Sequence, residues 1–355
     1  MKITSIKTKK VELELKEPFV TAALSRTSQP TILVKIETDE GIIGYGESVP
    51  TRHIVGESPD SIEIIIKEIE NKIKGENPLD IERIHRTMDK FIVGNNGAKA
   101  GIDIALYDIK GKLMNQPLYK VLGGFSNQIE SDVTLSINKK EEMVESAIKY
   151  VKAGFRILKV KIGLEPKKDI ETIKMIREAV GNDIIIKADA NQGYTVAEAV
   201  NVFNELLKYD VHGIEQPVPY WDINNMAEVR KKTSMEIVAD ESVKDHHDAM
   251  KFIRAGACDK VNIKLTKSSG IFKAEKINAV CEAAGIHCMV GCMVESRVAI
   301  TAGAHFAASK ANILDADLDG YVLTKELPFV SGGFTAENGL ITLLDKPGLG
   351  LDIEF

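Results

Sequence analysis

From about residue 131 onward the chain repeats one kind of unit eight times, and this repeat constrains the fold more than any other feature. Short apolar runs rich in Val and Ile recur about every 25 residues, each followed by an amphipathic stretch of ten to sixteen. The runs are DVTLSI (132–137), ILKVKIG (157–163), DIIIKADA (183–190), GIEQP (213–217), EIVADE (236–241), KVNIKL (260–265), HCMVG (287–291) and NILDADLD (312–319). Strands alternating with helices make βα units and a parallel sheet. Eight such units predict an α/β fold closed into a (β/α)-barrel, a modified TIM barrel, rather than an open sheet.

The residues before the repeat read differently. ITSIKTKKVELEL alternates apolar and polar residues, and ILVKIET-DEG-IIGYGES predicts a hairpin around Asp39-Glu40-Gly41. Helical spacing then predicts helices over 61–74, 78–91 and 98–114, with Gly123-Gly124 ending the block. The last 30 residues, with FVSGGFTAENGLITLL, return to turns and strands. The expected organisation is therefore an α+β capping domain over 1–125, to which 325–355 returns, and a barrel domain over 126–324. At 355 residues the chain exceeds one ordinary core, and 44% hydrophobic content can fill two.

Several function classes are excluded at this point. A net charge of −6 without a basic stripe argues against nucleic acid and anionic membrane as partners. No run of 18 apolar residues exists, and the opening MKITSIKTKK lacks the apolar core of a signal peptide, so a cytoplasmic protein is expected. A homo-oligomer is also expected. Of the four cysteines, Cys288 and Cys292 lack partners at zinc-like spacing, so buried thiols are expected instead.

In a barrel of this kind, chemistry sits at the C-terminal ends of the strands. Those ends carry Lys159 and Lys161, Asp189 with Asn191, Glu215, Asp240 with Glu241, Lys264, Glu295, and Asp317 with Asp319. Asp189, Glu215 and Asp240 are 26 and 25 residues apart, one βα unit each, and should converge from three neighbouring strands. Any one of them could simply cap the helix that follows. Three in phase repel one another unless a cation lies between them, and carboxylate oxygens suit Mg²⁺ first and Mn²⁺ second. Lys161 lies one strand before this trio and Lys264 one strand after it, which places two amines on opposite sides of the metal. An inward lysine in an apolar strand must have a partner. Burial, the metal and the neighbouring Lys159 should lower the lysine pKa toward that of a working base.

The reaction class follows from these parts. A proton on a carbon next to a carboxylate is very weakly acidic, because its removal leaves a dianionic enediolate that a divalent ion can stabilise. Two bases on opposite faces invert configuration by a 1,1-proton transfer. One base facing an inert cation would instead suit elimination, dehydration or cycloisomerisation.

These residues resemble the enolase superfamily in its muconate-lactonising subgroup, where a Lys or His base with Mg²⁺ is a known pairing. The resemblance covers nearly the whole chain: GIDIALYDIKGKLMNQPLYKVLGG before the barrel, KVK (159–161), DAN (189–191), EQP (215–217), DES (240–242) and NIK (262–264). GCMVESRVAITA (291–302) and DLD (317–319) are similar to the dipeptide epimerases of that subgroup. The resemblance implies that Asp317 and Asp319 hold the substrate's N-terminal ammonium, although DAD at 315–317 has the same spacing. It also implies that FVTAALSRTSQP (19–30) and SVPTRHIVGES (48–58) close over the barrel and read the substrate's variable end. Arg26 could clamp a side-chain carboxylate there, favouring an Ala-Glu type of dipeptide, and Arg52, His53 and Arg297 could contribute.

The assignment is thus Lys161 and Lys264 as acid and base, Asp189, Glu215 and Asp240 as metal ligands, and Asn191 and Glu241 as their supports. Asp317, Asp319, Arg26, Glu295 and Lys159 are assigned to substrate. The expected activity is epimerisation of the C-terminal residue of an L,L-dipeptide. The alternatives on the same scaffold are N-acylamino acid racemisation, o-succinylbenzoate synthesis and muconate cycloisomerisation. A phosphate-binding barrel is disfavoured by the acidic rim and by the lone Gly291 in the loop after the seventh strand. His246 and His247 read as a solvated helix start, and Trp221 as packing at the barrel mouth.

Overall fold

The computed structural model describes residues 1–355. Three antiparallel strands open the chain: β1 (Ile3–Val20), β2 (Ser25–Thr38) and β3 (Ile43–Ser48). The turn at Asp39–Gly41 joins the last two, as the hairpin motif predicts, and Gly41 supplies the positive φ of 78° that it needs. Helices α1 (Pro59–Ile73), α2 (Ile81–Phe91) and α3 (Asn96–Leu113) follow. The first begins on a reciprocal Ser58–Ser61 capping box and buries Ile62, Ile66, Ile69 and Ile73 on one face. α3 lies against this sheet so closely that Gly44 and Gly46 have no room for a Cβ over the Ala105 and Gly101 carbonyls. A short helix α4 (Leu118–Leu122) and strand β4 (Gln128–Glu130) lead to the repeat.

The eight apolar runs become eight parallel strands: β5 (Val133–Leu135), β6 (Ile157–Lys161), β7 (Ile185–Asp189), β8 (Val211–Glu215), β9 (Glu236–Ala239), β10 (Lys260–Ile263), β11 (His287–Gly291) and β12 (Ile313–Asp317). They hydrogen-bond in chain order, and a parallel bridge from Ala316 to Ser131 returns the last strand to the first. Seven helices cover the outside: α5 (Lys140–Lys152), α6 (Pro166–Val180), α7 (Val196–Leu206), α8 (Ile223–Lys232), α9 (His246–Ala255), α10 (Ile271–Ala283) and α11 (Arg297–Ala308). Four of them start on a side-chain cap, from Thr195, Asp222, Asp245 and Ser296. Each fully buried Val, Ile or Leu contributes about 1.5–3 kcal/mol. These side chains form one apolar core that runs without a break from Ile3 to Leu351.

The strands stop earlier than the apolar runs suggest. Glu215 and Asp317 are last in theirs, whereas Asp240, Glu241, Lys264 and Asp319 stand just beyond. The ladder ends where the chain must turn outward, and the polar side chains gather at that turn. The C-terminal segment divides its contacts. Lys325 N donates to the Glu14 carbonyl (2.9 Å) and Lys9 sits 3.9 Å over the Phe329 ring, whereas Arg297 of α11 donates to the Gly332 and Phe334 carbonyls at 3.0 Å. Trp221, expected to pack at the barrel mouth, is 71% exposed, because its loop runs outward after β8. All four cysteines are buried free thiols, and no helix is long and apolar enough to cross a membrane.

Candidate active site

Period-two geometry brings the charges at the strand ends inward. Lys161 closes β6, Asp189 closes β7, Glu215 closes β8, Asp240 follows β9 and Lys264 follows β10. Strands β6 and β10 are four steps apart in a ring of eight, so the two lysines stand on opposite sides, with the three carboxylates on the arc between them. Lys161 Nζ lies 2.6 Å from Asp189 Oδ2, and Lys264 Nζ lies 2.9 Å from Asp240 Oδ2 and 4.0 Å from Glu215. The backbone just past these ends is strained: Asn191, Gln192 and Gln216 have φ of 39°, 71° and 35°. Strain of this kind persists only where the surroundings over-determine it, and it clusters at functional sites. Gln216 ties the ends together, accepting from Asp240 N (3.0 Å) and donating to Ser242 Oγ (2.8 Å).

Lys159, one layer deeper than Lys161, reaches Asp317 (2.7 Å), Glu215 (2.8 Å) and Asp189 (3.1 Å). It forms a buried counter-ion beneath the cavity rather than part of its wall. Glu295 also sits behind the wall, accepting from Met293 N (3.1 Å) and Thr266 Oγ1 (3.4 Å). Neither of these expected substrate contacts faces the cavity. Lys267, unmarked in the sequence reading, is fully buried and donates to Asp240 Oδ1 (2.7 Å), the Asn262 carbonyl (2.9 Å) and the Asp240 carbonyl.

The charges are unbalanced. Six acids (Asp189, Glu215, Asp240, Glu241, Asp317 and Asp319) face four lysines (159, 161, 264 and 267), all of them buried. Burial, then Asp189 and Asp240, push Glu215 up to about 7. Burial and Asp240 likewise push Glu241 up to about 8. Burial also opposes the charged forms of Asp189 and Asp240, but Lys161 and Lys159 beside the first, and Lys264 and Lys267 beside the second, hold both below the usual carboxylate range. Glu241 Oε2 and Asn191 Oδ1 are buried without a hydrogen-bond donor, and Asp240 Oδ2 has only the Lys264 ammonium beside it. The surplus of carboxyl groups, two of them held partly protonated for want of positive charge, and the unsatisfied oxygens fit a hard divalent cation. The lysine expectation counted on the metal's charge, and the balance at Lys264 without it runs the other way. Burial alone would lower Lys264, but Asp240 and Glu215 outweigh it and hold the ammonium above the ordinary lysine range. A neutral Lys264 therefore depends on positive charge arriving beside those carboxylates.

The cavity opens between the barrel mouth and two segments of the N-terminal domain. Lys161, Lys264, Asn191, Glu241, Cys292, Asp317 and Asp319 line its floor and one side, and Phe19, Leu24, Arg26, His53, Ile54 and Met293 line the rest. Asp317, Asp319 and Cys292 place ligand atoms within 4.8 Å of one another; the two carboxyl groups make this an anionic corner, and burial keeps the thiol protonated. Asp319 also seals the barrel seam, accepting from Thr134 N at 2.7 Å through Oδ2, while Oδ1, which accepts only from the Cys292 thiol at 3.9 Å, turns to the cavity side. Asp315, the alternative partner, points down the barrel to Lys260 (2.6 Å) and Lys187 (3.3 Å). Of the candidate specificity residues, Arg26 and His53 line the cavity and Arg52 does not. Arg297 is held by Glu326 through two bonds of 2.8 Å. Burial lowers the Arg26 guanidinium, and no carboxylate forms an ion pair with it.

Comparison with known proteins places this geometry in a family. Residues 3–123 match the mandelate racemase / muconate lactonizing enzyme N-terminal domain, and residues 142–354 match the enolase C-terminal domain-like family. An L-Ala-D/L-Glu epimerase of Clostridium acetobutylicum is 42% identical over 96% of each chain. An N-succinyl-L-Arg/Lys racemase of Bacillus cereus is also 42% identical, over 99% of this chain and 96% of the relative. The crystal structure of a dipeptide epimerase from Enterococcus faecalis, complexed with Mg and the dipeptide L-Leu-L-Tyr, is similar with a TM-score of 0.97 at 42% identity, covering 99% of this chain and 100% of that one. The chain belongs to the enolase superfamily, with the two domains of the mandelate racemase and muconate lactonizing enzymes, and is an isomerase of the racemase and epimerase kind.

Proposed function

We propose that the protein is a dipeptide epimerase that inverts the α-carbon of the C-terminal residue of an L,L-dipeptide. The observation that carries this reading is the pairing, in one cavity, of two opposed lysines with the anionic corner of Asp317, Asp319 and Cys292. Lys161 and Lys264 approach from opposite sides, so one can remove the α-proton while the other returns a proton to the opposite face. The corner suits the free ammonium of a dipeptide, because charge-assisted hydrogen bonds to two carboxylates discriminate against an acylated amine. Asp189, Glu215 and Asp240 would hold Mg²⁺, or Mn²⁺ in its place, with Asn191 and Glu241 supporting them. When bound, the ion would stabilise the negative charge that builds on the substrate carboxylate. Arg26, which lines the same cavity with no carboxylate paired to it, supports an acidic C-terminal side chain, the Ala-Glu type of substrate.

Racemisation of an N-succinyl amino acid is the second reading, favoured by the 42% identity to the Bacillus cereus racemase. Proton NMR of L,L-dipeptides in D₂O with protein and Mg²⁺, with and without EDTA, separates the two. The proposal predicts loss of the C-terminal residue's α-proton signal, new L,D-diastereomer peaks and abolition of both by EDTA. Exchange of N-succinyl amino acids with no exchange on any dipeptide contradicts it.

A further inference from the structure

One oxygen of each of the three central carboxylates accepts from a donor other than Lys159, Lys161 and Lys264. Asp189 Oδ1 accepts from Asn191 N at 2.9 Å, Glu215 Oε1 from Asn262 Nδ2 at 2.9 Å, and Asp240 Oδ1 from Lys267 Nζ at 2.7 Å. The other oxygen of each faces the lysines: Asp189 Oδ2 toward Lys161, Glu215 Oε2 toward Lys159 and Asp240 Oδ2 toward Lys264. The pinning groups are themselves fixed. Lys267 is fully buried and spends its ammonium on Asp240 and the Asn262 carbonyl. Asn262 is packed so tightly against β11 that a Cβ on Gly291 would lie 2.7 Å from its amide.

We infer that Lys267 and Asn262 are positioning residues that make the site selective for a small divalent ion, by leaving each carboxylate one oxygen to offer. This inference rests on the metal site proposed above. Mg²⁺ requires near-octahedral ligands at about 2.0–2.1 Å and takes carboxylates one oxygen at a time, whereas Ca²⁺ accepts both oxygens of a carboxylate at about 2.3–2.6 Å. A rosette of three carboxylates free to rotate could chelate the larger ion. A rosette in which a fixed donor holds one oxygen of each carboxylate resists that rotation, so the second contact costs more. Lys267 contributes more than Asn262, because a charged donor holds a carboxylate oxygen more strongly than a neutral amide.

Calorimetric titration of the metal-stripped full chain with Mg²⁺, and separately with Ca²⁺, tests this without reference to turnover. Wild-type protein should bind Mg²⁺ more tightly than Ca²⁺. Lys267→Met, which fills the same space without a donor, should lower the ratio of Mg²⁺ to Ca²⁺ affinity on the order of 10-fold, and Lys267→Gln should restore part of it. If Lys267→Met does not fold, Asn262→Ser tests the same claim from the Glu215 side, with a smaller fall in the ratio expected. A folded variant with the wild-type ratio, or one in which both affinities fall in equal proportion, overturns the selectivity claim. A wild-type chain that binds neither ion overturns the metal site beneath it.

Discussion

Two charged layers lie inside the same barrel, and they behave differently. At the mouth, six acids and four lysines leave negative charge in excess and several oxygens unsatisfied. Nearer the other end, Lys187 bridges Asp132 and Asp315 at 3.3 Å each, and Lys260 bridges Asp315 (2.6 Å) and Glu236 (2.8 Å). The lower layer is an ion-pair ladder whose two lysines are raised by their carboxylates despite burial, although Asp132 Oδ1 has no donor. The upper layer has more carboxyl groups than amines. Residue type does not distinguish them, since Lys187 and Asp189 are two apart on one strand, as are Asp315 and Asp317 on another. What separates structure from chemistry here is whether each charge already has its partner.

Substitutions in the two layers should therefore have opposite signatures. The largest expected effect is on rate: Lys161→Ala and Lys264→Ala should each slow epimerisation by roughly 10²–10⁴-fold. Lys187→Met and Lys260→Met should keep kcat of the same order. Rate loss of equal size in both layers would erase the distinction. Next is binding. Asp319→Asn keeps an acceptor for Thr134 N but removes charge from the anionic corner, and should raise KM for dipeptides about 10- to 100-fold, as loss of a charged hydrogen bond does. KM for an N-acylated substrate should not rise with it, and an equal rise would assign Asp319 to the barrel seam alone.

Stability should respond in the opposite sense. Lys187→Met leaves Asp132 buried with no cation in contact, which costs about 3 kcal/mol, readable as a lower urea midpoint. A last effect, no larger than that one, belongs to neither layer. His305, buried between α4 and α11, accepts from Tyr119 N at 3.0 Å, and burial lowers it from 6.5 to about 4. Its depressed value means that the unfolded chain takes up the proton first. His305 therefore contributes stability above pH 6.5 that is lost as the pH falls toward about 4, at most about 3 kcal/mol. His305→Gln should flatten that acid limb in denaturation curves taken across the window.

The repeat made the barrel legible because period-two runs followed by helical spacing have few other solutions. The same regularity put Asp189, Glu215 and Asp240 at equivalent heights, and the structure brings them beside one another, with Lys161 and Lys264 at the two ends of the arc. Depth was harder to read. Alternation puts Lys159 on the side of Lys161 but cannot say that three carboxylates will enclose it below the cavity. Lys267 stands in TKSSG, which reads as a solvated loop, and its burial is set by Asp240 and Asn262 from elsewhere in the chain. Glu295 follows its strand as a substrate contact would, yet its carboxyl turns back to Thr266 and the Met293 amide. Arg297 was drawn off by Glu326, a pairing no local pattern announces.

The most direct test of the central claim, two lysines serving opposite faces, follows deuterium uptake at the α-carbon by Lys161→Ala and Lys264→Ala. Each variant should be given pure L,L- and pure L,D-dipeptide in D₂O with Mg²⁺. The account predicts complementary behaviour: one variant exchanges the L,L-substrate alone, the other exchanges the L,D-substrate alone, and neither interconverts them. Exchange of both diastereomers by either single variant, or continued epimerisation by either, would contradict the two-base arrangement.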